Sequence, residues 1–130
     1  MVLTTWGGSD TLDGEVYLVS NVNGQTGPGS VTYKKIAGGL KEPMGVAFVD
    51  GNVYVSQKHE LTELKDTNGD DVLDTRRTVA TWPFGGNFHE FAFGLLYKDG
   101  NFYLNLSVSI NLGGATTDRS RSAAAARASW

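Results

Sequence analysis

An internal repeat of about 45 residues constrains the fold of this chain more than any other feature of its sequence. A shift of 45 residues superposes similar residues at several places: Glu15 on Glu60, Asn23-Gly24 on Asn68-Gly69, Ala47-Phe48 on Ala92-Phe93 and, after a small gap, Ile36-Ala37 on Val79-Ala80. Four extra residues after Phe93 bring two further pairs into line: Asp50-Gly51-Asn52 with Asp99-Gly100-Asn101, and Tyr54 with Tyr103. A repeat of this length indicates a supersecondary unit that stacks on copies of itself.

Apolar and polar residues alternate in short stretches, which is the pattern of half-buried β-strands. It predicts eight strands: Glu15–Val19, Val31–Ala37, Gly45–Val49, Asn52–Ser56, Glu60–Lys65, Thr75–Thr81, Phe91–Tyr97 and Asn101–Leu106. Asp50-Gly51 and Asp99-Gly100 each separate two strands, and this dipeptide favours a two-residue hairpin turn. The first 118 residues show no helical period.

Repeats of about 40 to 50 residues with four short strands are typical of β-propeller blades. The sequence therefore predicts an all-β chain, a non-closed fragment of about two blades within residues 1–118. Its parts are the outer half of one blade, a full blade and the inner half of the next: 13–40, 41–82 and 83–110. Closed propellers need about four to eight blades, so we expect a piece of a larger protein. A small β-sandwich or meander with a coincidental repeat is the alternative.

Composition excludes several classes of function. The net charge of −3 gives no electrostatic footprint for nucleic acid, and the absence of cysteine excludes disulfides and thiolate chemistry. No apolar run is long enough to span a membrane, and no signal peptide opens the chain. Residues 119–130, rich in Arg, Ala and Ser, are predicted to be a disordered or non-native tail; a basic tail for a partner is the alternative.

The loop between the third and fourth strands of the full blade has the spacing of a calcium-binding loop. Its oxygen donors stand at loop positions one, three, five, seven and nine: Asp66, Asn68, Asp70, the Val72 carbonyl and Asp74. Asp71 replaces the glycine usual at the sixth position, and Arg77 replaces the bidentate glutamate at the twelfth, so an EF-hand is not expected. A solvated acidic turn is the alternative.

His89 is the candidate for chemistry. It lies in a glycine-rich segment just before a predicted inner strand, opposite Met44 in the 45-residue repeat. A neutral imidazole there can take a proton from a hydroxyl near pH 7, although a histidine that satisfies backbone groups would show the same pattern. His59 is predicted to be structural or exposed.

Two segments, Pro43–Phe48 and Asp50–Val55, resemble a blade of the soluble glucose/sorbosone dehydrogenases. The related large membrane-bound dehydrogenases of environmental bacteria look similar. The resemblance covers roughly residues 13–117. It implies a propeller, usually six-bladed, that holds pyrroloquinoline quinone over its channel and oxidises a sugar or alcohol hydroxyl in the periplasm or outside the cell. His89 precedes Asp99-Gly100 by the family's spacing for its catalytic base.

The chain departs from the family at two points. Glu90–Phe93 stands where the family commonly has a Gly-Gly-Arg-like segment, and the residues that hold the quinone come from later blades. The resemblance also implies that the Asp66–Asp74 loop is a calcium-type insertion. Two functions are therefore expected: a segment of a quinone-dependent dehydrogenase that is inactive alone or, as the alternative, a non-catalytic binding or structural module.

Overall fold

The structure, a computed structural model, describes residues 2–5, 12–23, 27–82 and 90–107. This part of the chain forms one 3₁₀ turn, Pro28–Ser30, and nine strands: β1 (Val2–Thr5), β2 (Gly14–Ser20), β3 (Thr32–Leu40), β4 (Gly45–Val49), β5 (Asn52–Ser56), β6 (Glu60–Lys65), β7 (Thr75–Thr81), β8 (Ala92–Lys98) and β9 (Asn101–Leu106). The all-β class is confirmed. No helix in these ranges is long and apolar enough to cross a membrane.

The strands form three antiparallel sheets in chain order. Sheet 1 contains β1–β3, sheet 2 contains β4–β7 and sheet 3 contains β8–β9. Five predicted strands have their predicted bounds: β4, β5, β6, β7 and β9. β1 was not predicted, since four residues are too few to show an alternation, and it is held by pairing with β2. The predicted tail, 119–130, lies outside the described residues.

Both Asp-Gly hairpins are confirmed. Asp50 and Gly51 join β4 to β5 with φ values of 49° and 84°. Asp99 and Gly100 join β8 to β9 with φ values of 51° and 78°. Two consecutive positive φ values are what a type I′ turn requires, and the twist of that turn matches the twist of the strands it joins.

The three sheets stack through two apolar clusters, one on each side of sheet 2. We call the side of a sheet that looks towards the preceding sheet its near face and the opposite side its far face. Val53 and Val55 on the near face of sheet 2 pack against sheet 1 around Val16. Tyr54, between them, points to the far face and packs with Phe102 of sheet 3. Neighbouring strand residues point to opposite faces, so both faces of sheet 2 are buried along β5.

The packing itself repeats, with an offset of 49 residues in the hairpins. In sheet 2, three residues pack on sheet 1: Val46, Val53 and Val55. Their equivalents in sheet 3 pack on sheet 2 in the same way: Leu95, Phe102 and Leu104. The strand contacts repeat too, because β5 lies against β8 as β1 lies against β4. The sheets are thus equivalent units stacked in one direction.

This register corrects part of the sequence alignment. Ala47 pairs with Tyr54, and Leu96 pairs with Tyr103, so the equivalent of Ala47 is Leu96 rather than Ala92. The 49-residue offset holds from Leu96 onwards, whereas Phe93 pairs with Asn105, one residue out of step. One of the four extra residues therefore lies in the bulge between Phe93 and Leu96, and the others precede it. The hairpin turn sets the strand register, whereas the similarity of two Ala-Phe pairs carries no structural constraint.

Candidate functional site

The connections between sheets converge at one end of the stack, which we call the connector end: residues 41–44, 57–59, 82 and 90–91. The Lys58 N–H donates to the Lys41 carbonyl at 3.0 Å. Trp82 donates its backbone N–H to the His59 carbonyl at 3.0 Å and its indole Nε1–H to the Lys58 carbonyl at 2.9 Å. These bonds hold connectors from different parts of the chain together. The hairpin turns and the acidic loop lie at the opposite end.

A sheltered ion pair lies at the centre of the connector end. Lys58 Nζ lies 2.7 Å from Glu42 Oε2, and the two side chains are only 14% and 16% exposed. The ammonium also lies 5.8 Å from the centroid of the Phe91 ring. Glu42 has a φ of 46°, a conformation that a glutamate rarely adopts. Such strained residues concentrate at functional sites.

A polar cluster lies beside this pair. The buried Gln57 amide accepts the Lys41 N–H at 2.6 Å and donates to Thr62 Oγ1 at 2.6 Å and Glu60 Oε1 at 3.1 Å. Glu60 Oε2 accepts a hydrogen bond from Thr78 at 3.1 Å and lies 3.8 Å from His59 Nε2. His59 is thus half-exposed beside a carboxylate that is already engaged, and a structural or exposed role for it stays a prediction.

His89, the predicted base, lies outside the described residues, but Glu90 is described and is fully buried. β8 begins only at Ala92, so Glu90 precedes the strand. Phe91 and Ser107 exchange two hydrogen bonds, of 2.7 and 2.9 Å, that anchor this approach to β8. In the observed register Phe93 corresponds to Gly45, so His89 belongs to the longer connector before β8. Sequence reasoning did not select Glu90 as a candidate site residue. The signal that could have marked it is an acidic residue directly before the apolar run Phe91–Phe93.

The acidic loop at the opposite end is held by hydrogen bonds of its own. Asp66 Oδ1 accepts the N–H of Gly69 at 2.7 Å, and Asp66 Oδ2 accepts that of Asp71 at 2.8 Å. These backbone donors, with Gly69 first, lower the pKa of the Asp66 carboxyl. Asp71 has a φ of 61°, so it adopts the left-handed conformation usually supplied by glycine at this position. At this one position the backbone has the conformation that glycine supplies in a calcium-binding loop.

The predicted ligands do not converge, however. Asp74 is drawn to Thr67, whose hydroxyl donates to it at 2.8 Å, and Asp70 Oδ1 accepts the Val72 N–H at 2.8 Å. Arg77 binds Glu63 instead of facing the loop. Within the ranges that the structure covers, no group of three or more His, Asp or Glu side chains could hold a metal ion. The loop is instead fastened to β3, since the Leu73 N–H donates to the Ile36 carbonyl at 2.8 Å.

Calcium binding by Asp66, Asn68, Asp70, Val72 and Asp74 therefore stays a proposal, and it requires Asp74 to leave Thr67. If the ion binds the folded loop, millimolar calcium should raise the melting temperature over that in chelator, because a ligand of the native state stabilises it by mass action. Asp70→Asn should abolish the shift. Asp50→Asn, in a hairpin at the same end, is the matched control. Equal melting temperatures with calcium and with chelator would leave a solvated turn.

A buried polar row crosses the far face of sheet 2, and sequence reasoning missed it. Glu63 is only 3% exposed, and its carboxylate accepts hydrogen bonds from the Tyr54 hydroxyl at 2.7 Å and from Arg77 Nε at 2.8 Å. Arg77 lowers the pKa of Glu63, while burial and then the bond to Glu63 raise the pKa of Tyr54 to about 12. All three groups are paired, so the row locks three neighbouring strands in register rather than offering a free reactive group.

Comparison with known proteins returned no match: no family model matches the chain, and neither does a curated protein or a solved structure.

Proposed function

We propose that this chain is a segment of a β-propeller dehydrogenase of the glucose/sorbosone type, which oxidises a sugar or alcohol hydroxyl. The observation that carries the proposal is the directional stacking of equivalent sheets, with Val46, Val53 and Val55 repeated as Leu95, Phe102 and Leu104. A stack of repeated antiparallel sheets is the architecture that the family resemblance implies. The connector end, with Glu42, Lys58 and Glu90 sheltered from water, is then the ligand-binding end.

The described residues do not by themselves fit the expected cofactor. Pyrroloquinoline quinone is an anion with three carboxylates and needs cationic partners. The sheltered cation of the connector end, Lys58, is already paired with Glu42 at 2.7 Å, and the carboxyl groups of Glu60 and Glu90 lie at the same end. The proposal therefore assigns the binding of the quinone, which would accept the two electrons of the oxidation, to parts of the parent protein beyond these residues. We expect no turnover from the 130-residue chain alone.

The part of the reaction that this chain would supply is proton removal. A neutral His89 imidazole would take the proton of the substrate hydroxyl, leaving the carbon–hydrogen bond to be broken in the oxidation step. Phe91, two residues after His89 in the sequence, is anchored to Ser107 and lies close to the Lys58–Glu42 pair. General bases work best when their pKa lies near the working pH, which suits histidine.

The test is His89→Ala in the parent protein reconstituted with the quinone. We expect the turnover rate to fall about 100-fold or more, because a positioned general base contributes about that much. His59→Ala is the matched control: it removes an imidazole at the same end and should leave the rate within about twofold, as its nearest partner is a carboxylate that is already engaged. Unchanged turnover after His89→Ala would remove the only catalytic residue that this chain contributes to the dehydrogenase assignment.

A non-catalytic binding or structural module is the second candidate. It is favoured by the pairing of the charged groups described at the connector end, since Lys58 is engaged by Glu42 and Glu60 by its neighbours. Paired groups stabilise a structure without offering a free acid or base. Quinone titration of the parent protein separates the two functions, because a structural module would show no saturable binding of the quinone.

A further inference from the structure

An asparagine followed directly by glycine lies in the acidic loop between β6 and β7. The sequence contains two such pairs, Asn23-Gly24 and Asn68-Gly69, and the structure describes both residues of the second pair only. Asn68 and Gly69 are both exposed. No atom of the described part of the chain lies within 4 Å of the place that a Cβ of Gly69 would take. The peptide bond between the two residues is therefore accessible to water.

An accessible Asn-Gly pair can rearrange without an enzyme. The backbone nitrogen of the glycine loses its proton and attacks Cγ of the asparagine side chain, which expels ammonia and closes a succinimide ring. Water then opens the ring at either carbonyl and leaves aspartate or isoaspartate, so water is taken up and ammonia is released. Glycine obstructs this attack least, because it has no Cβ. In this chain the new bond would join the Gly69 nitrogen to Asn68 Cγ.

The folded loop engages the atoms that this reaction needs. The Gly69 N–H donates to Asp66 Oδ1 at 2.7 Å, so its proton faces a carboxylate. A negative acceptor strengthens this hydrogen bond and opposes the loss of the proton beside it. The Asn68 side chain is held as well, because its Oδ1 accepts the Asp70 N–H at 3.0 Å and its Nδ2 donates to Asp70 Oδ2 at 3.3 Å. The attacking nitrogen and the leaving amide are thus both bound.

We propose that Asn68 is a modification site, and that the Asp66 carboxylate suppresses its spontaneous conversion to aspartate and isoaspartate. The hydrogen bond from Gly69 must open before the nitrogen can attack, so the folded loop should react more slowly than the unfolded chain. Conversion would add a negative charge between Asp66 and Asp70, and isoaspartate would also lengthen the backbone there. The proposal is independent of the dehydrogenase assignment and of calcium binding.

Incubation at mildly alkaline pH, followed by digestion with trypsin and mass spectrometry, tests the proposal. Cleavage after Lys65 and Arg76 releases the peptide 66–76, in which Asn68 is the only amide side chain. The folded wild-type chain should convert at least about tenfold more slowly than the same chain in guanidinium, because a charge-assisted hydrogen bond must break first. Asp66→Ala should accelerate conversion in the folded chain by about tenfold or more. Asp66→Asn keeps a neutral acceptor and should accelerate it less.

Asp74→Ala is the matched control, because it removes a carboxylate of the same loop that binds Thr67 rather than Gly69. It should leave the rate within about twofold of the wild type. Equal rates in the folded and denatured chains, an unchanged rate in Asp66→Ala, or an equal acceleration in Asp74→Ala would overturn the proposal. A product without isoaspartate, measured by enzymatic methylation, would overturn the succinimide route. Circular dichroism checks folding, and Asp66→Asn serves if Asp66→Ala fails to fold.

Discussion

Replacing Gly45 by alanine should lower the free energy of unfolding by about 3 kcal/mol or more, at the upper end of the effects of overpacking. Gly45 lies where β4 passes β8, and an added Cβ would come within 2.6 Å of the Gly94 carbonyl carbon, 2.7 Å of its oxygen and 2.6 Å of Ser56 Oγ. Two of these atoms belong to the backbone of sheet 3, so they cannot rotate away. Sheet 3 would have to move outwards, and the packing of Tyr54 on Phe102 would be lost with it.

Two other glycines are matched controls for this substitution. Gly94→Ala meets no atom within 4 Å, but its φ of +61° makes a side chain costly by about 1 kcal/mol. Gly29→Ala meets open space without a positive φ and should stay within about 0.5 kcal/mol of the wild type. Urea unfolding of the three variants should give the order Gly45, Gly94, Gly29, from the largest loss to the smallest. Equal losses at Gly45 and Gly29 would contradict the close passage of β4 and β8.

Removing the carboxylate of Glu63 should cost about 3 kcal/mol. Glu63→Ala leaves the buried Tyr54 hydroxyl without its acceptor and deletes a charge-assisted hydrogen bond from Arg77. The loss should stay at the lower end of the range for broken buried ion pairs, because the Arg77 side chain is 52% exposed and water can solvate it. Glu63→Gln keeps an acceptor for Tyr54, so about half of the loss should remain. Identical losses in the two variants would mean that the charge contributes nothing.

The same carboxylate should appear in the acid dependence of stability. The Arg77 guanidinium holds the pKa of Glu63 below its ordinary value of 4.5 in the folded chain. The unfolded chain therefore binds the proton more readily, and the stabilisation is complete above pH 4.5 and lost as the pH falls through the folded value. Glu63→Gln should flatten the decline in this acid window. Asp66 and Glu15, whose pKa values are also lowered, are present in both proteins, so the difference between the two curves isolates Glu63.

The local features of the fold could be predicted from the sequence. Alternation of apolar and polar residues is a property of consecutive positions, so it marked β4 to β7 with their observed bounds. The two Asp-Gly hairpins were equally clear, because a turn with two positive φ values restricts the residues that can form it. The internal repeat was visible because both hairpin turns use the same residues, Asp-Gly-Asn. The calcium spacing was visible as well, but spacing does not aim side chains, and Asp74 turns to Thr67.

Contacts between distant segments were decided by the tertiary structure alone. The burial of Glu63 depends on the pairing of β5, β6 and β7, which brings Tyr54 and Arg77 to the same carboxylate. The need for glycine at position 45 depends on how closely β8 passes β4, and the place of the four-residue insertion depends on the register of the β8–β9 hairpin. A strand pattern specifies which residues point to one face, whereas the neighbour that covers that face is chosen only when the sheets stack.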